Sequence, residues 1–261
     1  MDIEDKVFSL LNKDDANLDK VKSQVSQYGY VVVRGLGINE LPSETLKQRL
    51  ARFLEQYGSI TSHNSHGFFW DIMHRGDDYV SKNTTTFSEE VGECPFHTDS
   101  SFKAVPENFL TMYVVNPAKE GGDSLFLPAS AIVKDLKLTP DGMECLQILK
   151  RKIFPFQTPS SFDSETPIIF DRILSEDEKC LRYRLDCIQN GLRALSDLQE
   201  GSQIKWCLAE LERVVSNSKK KVVFSAKADD LIIIDNVKGM HSRTHFEDKT
   251  RHLIRARVTE N

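Results

Sequence analysis

Residues 231–258 read LIIIDNVKGMHSRTHFEDKTRHLIRARV and hold two apolar stretches on either side of a polar loop. The stretches LIIID (231–235) and HLIRARV (252–258) are short, rich in aliphatic residues and bounded by turn residues, which predicts buried strands. Similar stretches lie upstream: YVVVRG (30–35), FLTMYVV (109–115), SLFLP (124–128), RKIFPF (151–156), LRYRLDCI (181–188) and KVVFSA (221–226). The sequence therefore predicts many short strands whose pairing joins distant parts of the chain.

Helical patterns are fewer than strand patterns and do not alternate with them. Apolar residues recur at helical spacing in residues 18–29, 43–58 and 201–215, and Thr139-Pro140 is typical of a helix N-terminus. We expect Gly29 to end the first of these helices and Ser43 to cap the second. Because strands and helices do not alternate, a doubly wound α/β sheet is disfavoured. The pattern favours a mainly β fold, a sandwich or barrel with flanking helices.

Length and composition disfavour several classes of protein. The 261 residues suggest one domain, and 39% of them are apolar, enough for a substantial core. A net charge of −5 argues against nucleic-acid binding, and no apolar run approaches the roughly 20 residues that span a bilayer. The five cysteines are scattered without a C-x-x-C motif, so a disulfide framework or thiolate zinc site is disfavoured. We expect a cytoplasmic protein.

Residues 94–99, CPFHTD, contain the residues that point to chemistry. In a strand, residues two apart project from one face, so His97 and Asp99 can ligate the same metal ion. Such a pair is half of the two-histidine, one-carboxylate triad of non-haem Fe(II) oxygenases, and His241, just after a predicted strand, is a candidate for the third ligand. Chance alone gives about one H-x-[DE] in this composition, and residues 245–247 form a second. From spacing alone, a surface polar pair remains the alternative.

Three arginines alternate along the last predicted strand, at positions 251, 255 and 257. Residues at these positions share one face of a strand. A buried guanidinium requires an anionic partner, and a carboxylate suits its forked geometry. The alternative is an edge strand with solvated arginines, and for Arg257, near the C-terminus, we favour this alternative.

Four ordered blocks of sequence resemble the taurine dioxygenase family of Fe(II)/2-oxoglutarate-dependent oxygenases, in the wider clavaminate synthase-like group. The blocks are His97-Thr98-Asp99, Gly121-Gly122-Asp123-Ser124, Asp235-Asn236 through His241 to Arg243, and Arg251 with Arg255. The resemblance covers roughly residues 28–258. Four motifs in the right order are far more specific than any one of them.

The resemblance implies a double-stranded β-helix (jelly-roll) core over residues 96–258, after an N-terminal region (1–60) and a pocket loop (61–95), in one domain (1–261). It implies Fe(II) held by His97, Asp99 and His241. The 2-oxoglutarate would bind Arg251 and Ser124, with Arg255 beside it. The spacing leaves open which of the two arginines holds its distal carboxylate, and Arg251 is preferred.

The implied reaction uses O2 and 2-oxoglutarate to hydroxylate an unactivated C–H bond and releases succinate and CO2. Desaturation or ring closure would use the same ligands. Halogenation is disfavoured, because related halogenases carry Gly or Ala where this chain has Asp99.

Candidate substrate residues lie in two segments. His66 and Glu93 belong to the pocket loop, and Glu93 would suit an amine, although a plain surface residue is as reasonable there. In LRYRLD (181–186), Arg182 and Arg184 would share one strand face and could clamp a substrate carboxylate, or else form an exposed charged face. Arg255 is a further candidate. His63 and His74 are interpreted as solvated.

The preferred substrate is therefore a small, polar, amino-acid-like molecule, with a sulfonate or another small carboxylate as alternatives. The same chemistry on an amino acid tethered to a carrier protein is a second possibility. A catalytically silent jelly-roll binding protein is a third, which the intact ligand set disfavours. A metal-independent fold with a coincidental H-x-D is the least favoured. A homo-oligomer is compatible with the sequence, which does not fix the oligomeric state.

Overall fold

A computed structural model describes residues 10–12, 17–63, 67–76, 86–162, 167–195 and 201–260. The helices are α1 (Leu18–Tyr28), α2 (Ser43–Leu54), α3 (Ala129–Leu136), α4 (Pro140–Arg151), α5 (Leu185–Ala194) and α6 (Gly201–Asn217). The strands are β1 (Leu10–Asn12), β2 (Tyr30–Arg34), β3 (Ser59–Thr61), β4 (Trp70–Met73), β5 (Cys94–His97), β6 (Phe109–Asn116), β7 (Ser124–Pro128), β8 (Phe154–Gln157), β9 (Ile168–Asp171), β10 (Val222–Phe224), β11 (Leu231–Asp235), β12 (Gly239–Arg243) and β13 (His252–Thr259).

Two antiparallel sheets form the centre of the fold. The larger sheet has the order β1-β2-β11-β6-β13-β3, with β4 also paired to β13, and the smaller has the order β10-β7-β12-β5. Only the β1–β2 pair of these sheets is parallel among the described strands. Phe126 and Phe224 of the smaller sheet pack with Tyr30, Ile232 and Leu253 of the larger one in a single apolar cluster. The predicted mainly β fold with a jelly-roll core and flanking helices is confirmed.

The helices cover the outer surfaces. Residues of α1 and α2, such as Val21 and Leu50, pack on Ile233 of the larger sheet. Helices α3 to α6 form a second apolar cluster with β8, which includes Leu136 and Leu211. Within the described part of the chain, no helix is long and apolar enough to cross a membrane.

The helix ends test the predicted capping residues. Gly29 follows α1 with φ of 82°, a left-handed conformation that glycine adopts without strain, and its N–H bonds to Val25. Thr139 caps α4 by accepting a hydrogen bond from the Gly142 N–H. The prediction for Ser43 is wrong, because Pro42 takes the N-cap position and Ser43 is the first helical residue. Pro42 has φ of −52° and ψ of 142°, so its backbone is still extended and helical geometry begins at Ser43.

The predicted strand LRYRLDCI (181–188) is also wrong. Leu181 forms only an isolated bridge with Leu174, and α5 begins at Leu185. Apolar residues at helical spacing from position 185 onward outweigh the strand-like composition before it. Gly191 lies directly on β8, where an added Cβ would come within 2.6 Å of the Pro155 carbonyl oxygen, so the helix and strand pack closely.

Candidate active site

Strands β5 and β12 place two histidines opposite each other. His97 and His241 are paired residues in the antiparallel register, and their ring centroids lie 4.3 Å apart. Side chains directly opposite on neighbouring strands project from the same face. Neither strand was predicted, and His241 was expected in the loop after residues 231–235. It lies instead in β12, whose pairing with β5 brings together two imidazoles that are distant in the chain.

Asp99 completes a cluster of three possible metal ligands. Its Oδ1 atom lies 3.5 Å from His97 Nε2 and 3.7 Å from His241 Nε2. The three ligand atoms lie within 4.8 Å of one another. The carbonyl oxygen of Pro95 lies 2.8 Å from His97 Nδ1, so Nδ1 donates to it and Nε2 is the nitrogen that faces Asp99. Two imidazole nitrogens and one carboxylate oxygen are the donor set that suits Fe(II).

Asn236 fixes the backbone of Asp99. Asp99 N–H donates to Asn236 Oδ1 at 2.7 Å, and Asn236 Nδ2 donates to the Asp99 and Glu107 carbonyl oxygens at 2.9 and 3.0 Å. Asp99 lies beyond the end of β5, so the strand alone does not hold it. The sequence motif contained Asn236, but its role was not predicted, because it depends on a tertiary contact.

The second oxygen of Asp99 contacts two arginines. Arg257 Nε donates to Asp99 Oδ2 at 2.9 Å, and Arg255 Nη1 lies 3.5 Å from the same oxygen. Burial by itself raises the pKa of Asp99, but Arg255 and Arg257 outweigh this effect and hold it well below its usual value. Asp99 is therefore ionised and ready to bind a cation.

The prediction that Arg257 is solvated is wrong, since Arg257 is only 3% exposed. Strand β13 is not an edge strand at this point. Arg257 pairs with Thr61 of β3 on one side and with Leu110 of β6 on the other. The position of a strand within its sheet decides whether its polar side chains are solvated, and proximity to the C-terminus does not reveal that position.

A cavity opens beside the ligand cluster. Its lining includes His97, His241, Ser124, Ser242, Arg243, Arg251 and Arg255, together with apolar residues such as Leu110, Met112 and Leu253. Ile72, Ser88 and Cys94 of the predicted pocket loop also contribute to the wall. The cavity thus joins both candidate metal-ligating imidazoles to the residues predicted to hold 2-oxoglutarate.

Arg251 lies in this cavity without a counter-ion. It is 6% exposed, and no carboxylate among the described residues lies within ion-pair distance of it. Its Nη2 donates only a long hydrogen bond, of 3.4 Å, to the Gly122 carbonyl oxygen, and the guanidinium stacks 5.0 Å from the Phe246 ring centre. Burial, with Arg243 nearby, lowers the pKa of Arg251 to about 9. An unpaired buried cation of this kind favours an anionic ligand.

The glycine pair of the second motif allows Arg251 to lie where it does. Gly122 has φ of 68°, and a Cβ added there would come within 3.1 Å of Arg251 Nε. A Cβ on Gly121 would come within 2.0 Å of the His245 carbonyl oxygen. The two glycines therefore let the turn pass close to the cavity.

Arg255 differs from Arg251 because it contacts a carboxylate, a hydroxyl group and an aromatic ring of the protein. Besides Asp99, it donates from Nη1 to Ser88 Oγ at 3.1 Å, and it stacks 4.3 Å from the centre of the Trp70 ring. Its Nε atom is buried without a hydrogen-bond partner. Arg255 thus contacts the candidate metal ligand Asp99 and also lines the cavity.

Arg243, two residues after His241, holds a loop against the site. Its guanidinium donates to four backbone carbonyl oxygens, those of Phe87, Ser88, Glu90 and Gly92, at 3.0 to 3.2 Å. Arg243 belongs to the third sequence motif, but its role was not predicted. Its contacts could not be predicted, because backbone acceptors leave no signature in the sequence.

The predicted substrate residues have different positions. His66 lies outside the described residues. Glu93 is exposed and is not part of the cavity lining. Arg182 pairs with Asp171 at 3.2 Å and lines a separate groove. Arg184 lies near the ligand cluster, where it lines a small cavity with Asp99 and other residues. The predicted shared face of Arg182 and Arg184 is wrong, because this segment is not a strand.

Arg184 is held by a forked ion pair. Its Nε and Nη2 donate to the two oxygens of Asp186 at 2.9 and 3.0 Å, and its guanidinium carbon lies 5.7 Å from the Phe87 ring centre. The surroundings of Arg184 include His97, Phe162, Arg255 and Arg257. It is the predicted substrate residue that the fold brings to the candidate metal centre.

His63, interpreted from the sequence as solvated, is in fact 2% exposed. Neither ring nitrogen has a hydrogen-bond partner, and the ring meets the edge of Trp70 at 5.8 Å. Burial, followed by the charges of Arg257 and Arg255, lowers its pKa to about 2, so the imidazole is neutral. Its position two residues after β3 carries it into the interior, which a turn-rich sequence did not indicate.

Comparison with known proteins places this site in a family. The sequence matches the model of the taurine catabolism dioxygenase TauD, TfdA family over residues 3–257. No curated protein sequence matches the chain.

Three solved structures have the same fold. An asparagine oxygenase in complex with Fe(II), 2S,3S-3-hydroxyasparagine and succinate is 16% identical (TM-score 0.71), with 95% of this chain and 78% of that chain covered. The oxygenase OrfP with Fe and alpha-ketoglutaric acid is 14% identical (TM-score 0.69; 95% and 82% covered). PvcB from Pseudomonas aeruginosa is 16% identical (TM-score 0.64; 96% and 82% covered). The family match over nearly the whole sequence shows that the chain belongs to the taurine catabolism dioxygenase TauD, TfdA family.

Proposed function

We propose that this chain is an Fe(II)- and 2-oxoglutarate-dependent dioxygenase that hydroxylates an unactivated C–H bond of a small, anionic, amino-acid-like substrate. One observation carries the proposal: the buried cluster of His97, Asp99 and His241 opens onto a cavity that also contains the unpaired guanidinium of Arg251. A cation site and an anion site in one cavity suit an anionic co-substrate that contacts a metal ion at one end and Arg251 at the other.

His97, Asp99 and His241 would hold the iron. When bound, iron with 2-oxoglutarate and O2 supplies the oxidising equivalents for C–H hydroxylation, with succinate and CO2 as co-products. The protein contributes ligand orientation, through the Pro95 carbonyl oxygen on His97 and the Asn236 side chain on Asp99.

Arg251 and Ser124 would bind the distal carboxylate of 2-oxoglutarate. Both line the same cavity as the two histidines. Arg251 has no carboxylate partner among the described residues, whereas Arg255 already contacts Asp99 and Ser88. A carboxylate on Arg251 would relieve the cost of burying its charge, so this geometry favours Arg251 over Arg255.

Arg184 would bind an anionic group of the substrate. It lies beside the candidate metal ligands, and because Asp186 occupies its Nε and Nη2, Nη1 would be the atom that meets the substrate. Phe87 and Phe162 would exclude water around the substrate. The amino-acid-like substrate class is supported by the hydroxylated amino acids in the asparagine oxygenase and OrfP complexes.

A cytoplasmic location is part of the same proposal. The five cysteines are scattered along the chain without a C-x-x-C motif, which suits a reducing compartment.

Succinate production tests the proposed function. Protein loaded with Fe(II) and 2-oxoglutarate in air should release more succinate when its substrate is present, and the matching product should gain 16 mass units, the mass of one oxygen atom. We would screen L-amino acids, their N-acetyl and amide derivatives, and small sulfonates. Arg184→Met should raise the KM of the stimulating compound. When the carboxylate of that compound is replaced by an amide, wild type and Arg184→Met should have the same KM. Succinate release that no compound stimulates, together with unchanged masses throughout, would contradict the proposed substrate class.

A further inference from the structure

The two carboxylate oxygens of Asp99 have different surroundings. Oδ1 faces the Nε2 atoms of both histidines, at 3.5 and 3.7 Å. Oδ2 accepts a hydrogen bond from Arg257 Nε at 2.9 Å and lies 3.5 Å from Arg255 Nη1. Rotation of the carboxylate would break this charge-assisted hydrogen bond, so the orientation of Asp99 is fixed before any metal binds.

Arg257 is itself held rigidly. Its backbone lies in the middle of the larger sheet, between Thr61 and Leu110, and its residue is 3% exposed. A second buried carboxylate, Glu107, lies within electrostatic range of it and is neutralised by Lys103 at 2.6 Å. Asp99 is therefore the described carboxylate to which Arg257 makes a direct ion pair. A buried side chain that is fixed at both its backbone and its head group can position its partner accurately.

We propose that Arg257 is a positioning residue that limits Asp99 to metal ligation through one oxygen and so keeps a coordination position open for 2-oxoglutarate. The inference rests on the proposed function. Carboxylates bind metal ions through one oxygen or through two. A triad with one carboxylate oxygen leaves open positions for co-substrate and O2, whereas a second oxygen from Asp99 would fill one of them. Arg255, at 3.5 Å from Oδ2, is too distant to replace Arg257 fully.

This role makes a prediction that a merely structural ion pair does not. Without Arg257, Asp99 gains freedom to offer both oxygens, and a positive charge near the metal is lost. Both changes favour Fe(II) binding, while the filled position disfavours 2-oxoglutarate. A structural ion pair would instead affect the binding of metal and co-substrate alike.

The test uses the full-length protein with metal removed, under anaerobic conditions. Calorimetry would measure Fe(II) binding first and 2-oxoglutarate binding to the Fe(II)-loaded protein second. For Arg257→Met we expect the Fe(II) dissociation constant to rise by no more than about threefold over that of wild type. The 2-oxoglutarate dissociation constant should rise about 10- to 100-fold. The visible absorption band of the Fe(II)–2-oxoglutarate chelate should shift in energy as well. Arg172→Met, which removes an exposed arginine paired with Glu176, is the matched control and should change neither constant.

Arg257→Gln separates orientation from charge, because glutamine keeps an N–H donor and loses the charge. Its 2-oxoglutarate constant should lie between those of wild type and Arg257→Met, and it provides the measurement if the Met variant does not fold. Fe(II) and 2-oxoglutarate affinities that fall in parallel would overturn the inference, as would equal constants for the Gln and Met variants, or 2-oxoglutarate binding within twofold of wild type. Absence of the chelate band in wild-type protein would instead refute the proposed function itself.

Discussion

Arg251 lies directly before β13 and Arg257 lies near the other end of that strand, and both are buried, but their electrostatic surroundings are opposite. Arg257 forms a short ion pair with Asp99. Arg251 faces a cavity, with one long hydrogen bond to a carbonyl oxygen and an aromatic ring beside it. The burial of a charge therefore does not by itself indicate its role.

The difference shows how a fold separates structure from ligand binding along one strand. A buried charge with its partner in the chain belongs to the protein's own framework, and removing one member leaves the other unpaired at high cost. A buried charge without a partner destabilises the empty protein, and a ligand of opposite charge restores the balance.

Removing Asp99 should destabilise the metal-free protein strongly. Asp99→Ala leaves Arg255 and Arg257 buried without their counter-ion, so we expect the free energy of unfolding to fall by about 3–5 kcal/mol. Denaturant unfolding in the presence of a chelator measures this. Glu176→Ala removes the exposed partner of Arg172 and should cost less than about 1 kcal/mol. A loss in Asp99→Ala as small as in this control would mean that the two arginines do not depend on Asp99.

Removing Arg251 should weaken the binding of 2-oxoglutarate and leave the stability of the metal-free protein almost unchanged. Arg251→Met should raise the dissociation constant of 2-oxoglutarate for the Fe(II)-loaded protein about 100-fold, which corresponds to about 2.7 kcal/mol. The unfolding free energy of the metal-free variant should change by no more than about 1 kcal/mol, because the lost contacts are offset by relief of an unpaired buried charge. Calorimetry and denaturant unfolding measure the two effects. A variant destabilised as much as Asp99→Ala would show that Arg251 is part of the framework.

A methyl group at Gly122 should disturb Arg251 without changing any charge. Gly122→Ala places a Cβ within 3.1 Å of Arg251 Nε, so we expect 2-oxoglutarate affinity to fall roughly 3- to 10-fold, or about 1 kcal/mol. Gly35→Ala is the matched control, since Gly35 has a similar φ of 66° but no atom within 4 Å of an added Cβ. Both variants carry the same backbone strain, and only the first should lose affinity. Equal affinities in the two would argue against close contact between this turn and Arg251.

The smallest effect should come from a partly exposed ion pair at the start of β13. Asp71 accepts from His252 at 2.8 Å and pairs with Lys47 at 2.7 Å, and its hydrogen bond with His252 leads the causes that lower its pKa from 3.8 to about 2. A carboxyl with a depressed folded-state pKa stabilises the fold above its ordinary pKa and loses this contribution as pH falls towards the folded value. The unfolding free energy of wild type should therefore fall more steeply between pH 4 and pH 2 than that of Asp71→Asn. Parallel pH curves would show that this pair contributes nothing measurable.

The family resemblance supplied the three candidate metal ligands, and the structure brings them together. Spacing alone left His97 and Asp99 open to interpretation as a plain polar pair. His241 was expected in a loop and lies instead in β12, opposite His97 of β5. Arg251 and Ser124, given by the resemblance, line the same cavity as the histidines. These positions could be predicted because the family motifs contain the candidate ligand residues themselves.

Other residues could not be predicted, because their roles depend on what covers them. Arg257 was interpreted as solvated, since nothing in HLIRARV reveals that β3 covers its side of the strand. Arg182 and Arg184 were predicted on one strand face, but they line different cavities and pair with different carboxylates, Asp171 and Asp186. Arg243 binds backbone carbonyl oxygens, which every sequence contains. Tertiary contacts of this kind are visible only in the structure.

The most direct test of the central claim is an anaerobic titration of the metal-free protein with Fe(II) and 2-oxoglutarate, followed by visible absorption. We predict a chelate band in wild type, its absence in His241→Ala, and, in Arg251→Met, a band of similar energy that saturates only at about 100-fold higher 2-oxoglutarate. Folded wild-type protein without a band, or an Arg251→Met variant that saturates like wild type, would contradict the claim that this cavity binds the metal at one end and the co-substrate carboxylate at the other.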